Sequence, residues 1–213
     1  MPFTGNARIL RASLTQGSLF IAVNPLAKAR PQDAGAPSIM ITKYEQLITE
    51  VNDLTARLNE CYRSHLQCQS GCSGCCHHHL SVFPVEATNI KSAIQDLPQI
   101  LQERIHQQAI SIVEHKTEIC PLLVDDKCSI YNSRPIICRT QGLPLLYEAE
   151  DGNQEVDFCP LNFTAENATD ALEENHLVPL DALNLKLSIA NLEYCQAHEI
   201  EPNQRIKIAD LCK

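Results

Sequence analysis

The 213-residue chain has no tryptophan, 2 methionines and only 7 glycines. So few glycines, beside 12 prolines, exclude a collagen-like or mucin-like chain, and no internal repeat or low-complexity segment is present. Nowhere does an apolar run approach the roughly 18 residues of a membrane span, so the chain reads as soluble, without a membrane partner. Positive charge is also scarce: 17 Lys and Arg stand against 26 Asp and Glu, for a net charge of −9. That excludes a sequence-independent nucleic-acid binder, which needs a cationic face to displace phosphate counterions. What remains, 44% hydrophobic and 20% charged residues, is a globular composition of one domain, or one domain with a tail. Against these scarcities stand 11 cysteines. Cysteine at that density means disulfides or metal, and the compartment decides which.

An export signal needs a basic start, an apolar stretch and a small-x-small cleavage site. Arg8 and Arg11 precede the stretch Ser18 to Val23, and Ala27-Lys28-Ala29 has the cleavage pattern, but Asn24 and Pro25 cut the stretch short. The expectation is a cytoplasmic protein. Residues 1–39 show no sustained period and read as a poorly ordered leader, with residues 40–213 as a single domain. Met40, the only methionine after the first residue, directly precedes the first helical pattern and is a candidate start.

That pattern is Ile41, Tyr44, Leu47, Ile48, Val51, Leu54, Leu58 and then Cys61 or Tyr62, the 3.6-residue stripe of an amphipathic helix over about 41–65. Cys61 continues the stripe and reads as a small buried hydrophobe. Pro84, with Glu86 two residues on, suits a helix start, and helical spacing runs over about 85–116 with an interruption at Pro98. His106 and His115 on that stretch read as solvated or capping side chains. Asp125-Asp126-Lys127 marks a turn, Ser129 to Thr140 a loop with one helical turn, and Asp151-Gly152-Asn153 a turn between two short strands. Over about 170–197 the spacing is helical again, with Leu180, Leu183, Leu187 and Tyr194 on the stripe and Leu185, Ile189 and Leu192 widening it. Cys195 belongs to that stripe and Cys212 to a frayed end. The expected fold is mainly α, its helices enclosing an irregular, metal-organised Cys-rich loop core with minor β structure.

Eight cysteines remain outside the stripes: Cys68, Cys72, Cys75, Cys76, Cys120, Cys128, Cys138 and Cys159. The first four form C-x3-C-x2-C-C, spaced by Gly71 and Gly74, which let the backbone fold tightly enough for sulfurs to converge. Adjacent Cys75 and Cys76 could pair only through a strained ring, which disfavours a disulfide framework. Thiolates in fours bind zinc tetrahedrally or hold iron in iron–sulfur clusters, so eight serve two four-coordinate centres or one polynuclear cluster. Side chains of neighbouring residues diverge, so Cys75 and Cys76 are expected to serve different ions, or one of them to bridge two. His77, His78 and His79 are candidate nitrogen ligands or a solvated surround. No formally charged residue lies between Cys68 and Val85, which suggests a dry site, and Arg134 and Arg139 flank Cys138, where they can offset thiolate charge. Both metals accept thiolates, so the ligand type does not choose between them; adjacent cysteines suit a polynuclear iron–sulfur centre.

The blocks CQSGCSGCCHHHLSVFPVE, from Cys68, and CPLLVDDKCSIYNSRPIICR, from Cys120, resemble the YkgJ-type cysteine-cluster family, of the CxxCxxCC type, over about Tyr62 to Leu161. The resemblance implies a zinc- or iron-chelating domain and carries over onto the same eight cysteines; the family label has two residues between its first two cysteines, where Cys68 and Cys72 enclose three. It implies a metal-binding protein with a structural, metal-handling or electron-transfer role, metal ions as its partners and no protein partner specified. Two alternatives accompany it. Flagellin lysine N-methylases are similar to this family, which raises an S-adenosylmethionine-dependent protein lysine N-methylase, although no strand followed by a glycine-rich loop is present for the methyl donor. Cys72 and Cys75, a C-x-x-C pair, would suit a thiol-based redox sensor. No catalytic residue and no organic-cofactor site stand out, and no nucleophile or paired carboxylates accompany the histidines.

Overall fold

The computed structural model describes residues 42–213 except Ser70 and Lys116, together with the backbone but not the side chain of Val113. The leader, Met40 and Ile41 lie outside the described residues. The first helix, α1 (Lys43–Cys61), starts at a reciprocal cap: the Glu45 N–H donates to Thr42 Oγ1 at 3.2 Å, and the Thr42 N–H to Glu45 Oε2 at 2.7 Å. Tyr44, Leu47, Val51 and Leu58 form its buried face. The helix ends at Cys61, four residues short of the expected limit, and Tyr62 takes the last core position while Cys61 is exposed. The expectation of a buried Cys61 is thus corrected, because one residue is 100° of helix rotation and only one of the two can face the core.

A short strand, β1 (Ser81–Val82), leads into α2 (Pro84–Gln95), where proline occupies the first helical turn and Glu86 accepts from the Phe83 N–H at 3.2 Å. Pro98 separates it from α3 (Gln99–His115), as the sequence indicates. On α3, His106 Nδ1 lies 3.2 Å from the Cys212 carbonyl and His115 Nδ1 2.9 Å from the Ser111 carbonyl. A hairpin follows, β2 (Leu123–Val124) and β3 (Lys127–Cys128), turned by Asp125 and Asp126 with φ of 50° and 57°. Both central residues in the left-handed region define the tight turn that matches strand twist. The loop after it holds a 3₁₀ turn (Tyr131–Ser133) and one short helix, α4 (Ile136–Thr140).

Strands β4 (Leu145–Glu148) and β5 (Gln154–Asp157) pair antiparallel around the Asp151-Gly152 turn, and β6 (Val178–Pro179) adds in parallel on the other side of β4. The last long helix is α5 (Leu180–His198). It begins later than the 170 expected, because residues 168–176 form two 3₁₀ turns and Val178 and Pro179 are extended. Leu183, Leu187, Ala190, Asn191 and Cys195 are buried on it, whereas Leu185, Ile189 and Leu192, expected to widen the stripe, are exposed. Finally β7 (Ile206–Lys207) pairs antiparallel with β1, and α6 (Ile208–Leu211) ends the chain. Cys212 is buried, not frayed: its thiol donates to the Ile208 carbonyl at 3.3 Å.

The fold is mainly α with minor β structure, and its apolar interior has two parts. One joins α1, α5, α4 and β6 through Val51, Leu58, Tyr62, Ile136, Val178 and Leu183. The other joins α2, α3, β2 and α6 through Ile90, Ile105, Ala109, Leu122 and Ile208, with Cys120 and Cys128 packed on its edge. Among the described residues no helix is long and apolar enough to cross a membrane.

Candidate metal centre

The first four cysteines lie on a loop shaped by Gly71, whose φ of +94° favours glycine, and by a 3₁₀ turn over Gly74–Cys76. Three contacts draw the distant cysteines toward this loop. The Cys120 N–H donates to the Cys76 carbonyl at 2.7 Å. Ser73 Oγ donates to Asp126 Oδ1 at 3.3 Å, fixing the tip of the hairpin that carries Cys128. At the other end, Asn162, which is fully buried, accepts from the Gln67 N–H at 2.8 Å and donates to the Gly142 carbonyl at 2.7 Å and to Cys68 Sγ at 3.5 Å. Asn162 itself follows Cys159, whose carbonyl accepts from its N–H at 2.8 Å.

Gly142 makes this last junction possible. A Cβ there would lie 2.8 Å from Cys68 Sγ and 3.8 Å from the Cys159 Cβ, and φ is +92°. Sequence reasoning missed both Gly142 and Asn162; the Asn162 triplet resembles a glycan acceptor, yet the residue is interior.

The charges of the thiols reach one another around the loop. Cys68 feels Cys159, Cys72 and Cys75. Cys76 feels Cys120 and Cys128 besides its neighbour Cys75, and Cys138 feels Cys120 and Cys128. Cys75 stands at the junction, since its charge reaches Cys68 as well as Cys120, Cys128 and Cys138.

Burial pushes the Cys120 thiol up to about 11 and the Cys138 thiol up to about 12, and it raises Cys68 and Cys128 as well. Cys75 moves the other way: the Cys76 thiol donates to it, and Arg134 and His77 add positive charge, so Cys75 takes the negative charge of the pair and Cys76 keeps the proton.

Arg134 supports the site as the sequence suggested. Its Nη1 donates to the Cys138 carbonyl at 3.1 Å, its guanidinium lies 3.6 Å from the centre of the Tyr131 ring, and its charge favours the thiolates of Cys75, Cys128 and Cys138. Arg139 turns away to α1, where Nη1 donates to Asn52 Oδ1 at 2.7 Å.

The expected dryness is corrected: Cys68, Cys72 and Cys75 are exposed, and Cys76, Cys120, Cys128, Cys138 and Cys159 are half-buried. A loop without charged side chains is not thereby covered; covering takes apolar neighbours, which only the second core supplies. His77 and His79 are exposed and His78 half-buried. Among the described residues no group of three or more His, Cys, Asp or Glu side chains is arranged to hold an ion as it stands.

Eight thiols from five segments of the chain, some drawn toward one loop by the contacts above, are donors of the kind that chelates soft or borderline metals. Residues 67–160 match the model of the CxxCxxCC family, described as "Putative zinc- or iron-chelating domain". The match opens one residue before Cys68 and closes one residue after Cys159, so it contains all eight cysteines. No curated protein and no solved structure matches the chain.

Proposed function

We propose that the protein binds zinc or iron in two adjacent four-cysteine centres, one of Cys68, Cys72, Cys75 and Cys159 and the other of Cys76, Cys120, Cys128 and Cys138. The observation that supports this reading is that Cys68 is acted on by Cys159, Cys72 and Cys75 while Cys76 and Cys138 are each acted on by Cys120 and Cys128, with Cys75 reaching thiols of both sets. Four thiolates complete a tetrahedral zinc site or the ligand set of an iron–sulfur cluster. The proximity of Cys75 to the second group equally suits a single polynuclear centre, in which it would bridge. Bound metal would supply cross-links between loops that the backbone joins only by a few hydrogen bonds, and Arg134 would offset the charge of the thiolates. The role that follows is structural, metal-handling or electron-transferring, in a reducing cytoplasm where the thiols stay available.

The test is anaerobic purification followed by metal analysis and a spectrum, where iron–sulfur absorbs broadly at about 400 nm and zinc does not. Two metal equivalents, or a cluster of matching iron content, are expected. Cys138→Ser and Cys68→Ser would each remove one centre if the groups are separate, and both would remove everything if the centre is shared. Eight freely titrating thiols on a folded, metal-free protein would overturn the reading.

A further inference from the structure

We infer that the cleft between α1 and α4 is a binding site for a small monocarboxylate, separate from the cysteine centre. The cleft has a volume of about 260 Å³, is open to solvent, and is lined by Tyr44, Glu45 and Ile48 from α1, Asn89 from α2, Asn132 from the 3₁₀ turn and Arg139 from α4. Two of these side chains are more than nine-tenths buried and incompletely satisfied. Arg139, 8% exposed, gives Nε–H to the Arg134 carbonyl, one Nη1–H to Asn52 and one Nη2–H to the Asn132 carbonyl. A guanidinium has five N–H groups, so one remains on each terminal nitrogen, and all three partners are uncharged oxygens. Among the described residues no carboxylate forms an ion pair with it. Tyr44, 7% exposed, has a buried hydroxyl with no hydrogen-bond partner among the described residues.

A buried cation without a counter-anion and a buried hydroxyl without an acceptor each carry an unrecovered desolvation cost. Both line the same cleft, and one group would satisfy both: a carboxylate, whose two oxygens match paired terminal N–H groups and leave a lone pair for the hydroxyl. The single positive charge sets the ligand charge at minus one. Glu45 on the rim, its carboxylate already accepting from the Thr42 N–H and Oγ1–H, and Glu86, whose charge reaches Tyr44, repel a dianion such as phosphate more strongly than a monoanion. Ile48 leaves apolar wall for a short aliphatic tail. Tyr44, Glu45 and Ile48 lie on α1, outside the matched segment, while Asn89, Asn132 and Arg139 lie within it, and none of the eight cysteines lines the cleft.

Equilibrium dialysis of the full-length protein, as purified with its metal, against labelled acetate at fixed ionic strength tests this. One saturable equivalent is expected, poorly displaced by inorganic phosphate and not by chloride. Tyr44→Phe removes only the unpartnered hydroxyl, so it should leave melting unchanged or slightly raised while weakening acetate binding about tenfold, the worth of one hydrogen bond to a charged group. Absence of saturable acetate uptake, uptake that Tyr44→Phe leaves unchanged, or stronger displacement by phosphate than by unlabelled acetate would overturn the proposal.

Discussion

Cys61 illustrates how one residue of error in phase changes a chemical role. Its thiol is exposed and lies 3.6 Å from His176 Nδ1, whereas Cys195 and Cys212 are buried on α5 and beside α6. Alkylation with iodoacetamide, followed by mass spectrometry, should therefore separate three classes. In the metal-loaded protein Cys61 reacts first; a chelator then exposes the eight cluster thiols; Cys195 and Cys212 react only on unfolding. Rapid reaction of Cys72 and Cys75 before chelation would contradict their place in a metal centre. That these eight stand apart from the helical stripes was legible in the sequence, because their spacings follow no helical period. Their partners were not legible. Asn162 and Gly142 act through an amide and through a missing side chain, and neither type signals a metal site at a distance of many residues along the chain.

Glu86 shows what joins one element to another. Its carboxylate accepts from the Phe83 N–H, at the start of α2, and from the Ile136 N–H at 3.0 Å, at the start of α4, so one buried acid serves two helix ends and sets the distance from α2 to the helix carrying Cys138. Burial is the largest influence on it and raises its pKa above 4.5, although both N–H donors oppose the shift. Between 4.5 and the raised value the folded chain holds a proton that the unfolded chain has released, so this group's contribution is full below 4.5 and declines as pH rises through the folded value. Urea midpoints compared at matched pH from about 4 to 7 should show a flatter dependence for Glu86→Gln than for the parent. Equal slopes would mean that Glu86 ionises as it does in the unfolded chain. The helices themselves were largely readable from apolar spacing and from Pro84 and Pro98. Their ends were harder, since Leu185, Ile189 and Leu192 fit the period of α5 yet face solvent: spacing shows that a helix has an apolar side, but not how wide the covering neighbours are.

Across the whole molecule, the segment that matches the family model does not own its core. Residues 67–160 hold every candidate ligand, but α1 and α5, which contribute Val51, Leu58 and Leu183 to the first core, lie outside it, as do β7 and α6, which close the second. A fragment of residues 67–160 would expose those faces, and even with metal it is expected to lack a cooperative thermal transition that residues 42–213 retain. Calorimetry of the two, each loaded with metal, checks this; a sharp transition in the shorter fragment would show that metal alone organises the loops. This scale was the least visible beforehand, because pairings such as β1 with β7, or Cys68 with Asn162, join residues about a hundred or more positions apart and leave no local period to read.

Gly142 gives the chemistry an unexpected keeper. The volume that its own side chain would take is filled by the sulfur of Cys68, so the backbone there works as a mould whose casting is an atom from elsewhere in the chain. An inventory of donor atoms passes over it, yet the sulfur keeps its seat only while that position stays bare. In a lineage that conserved all eight cysteines and replaced this glycine, the list of thiols would be intact and the sulfur of Cys68 would have to move.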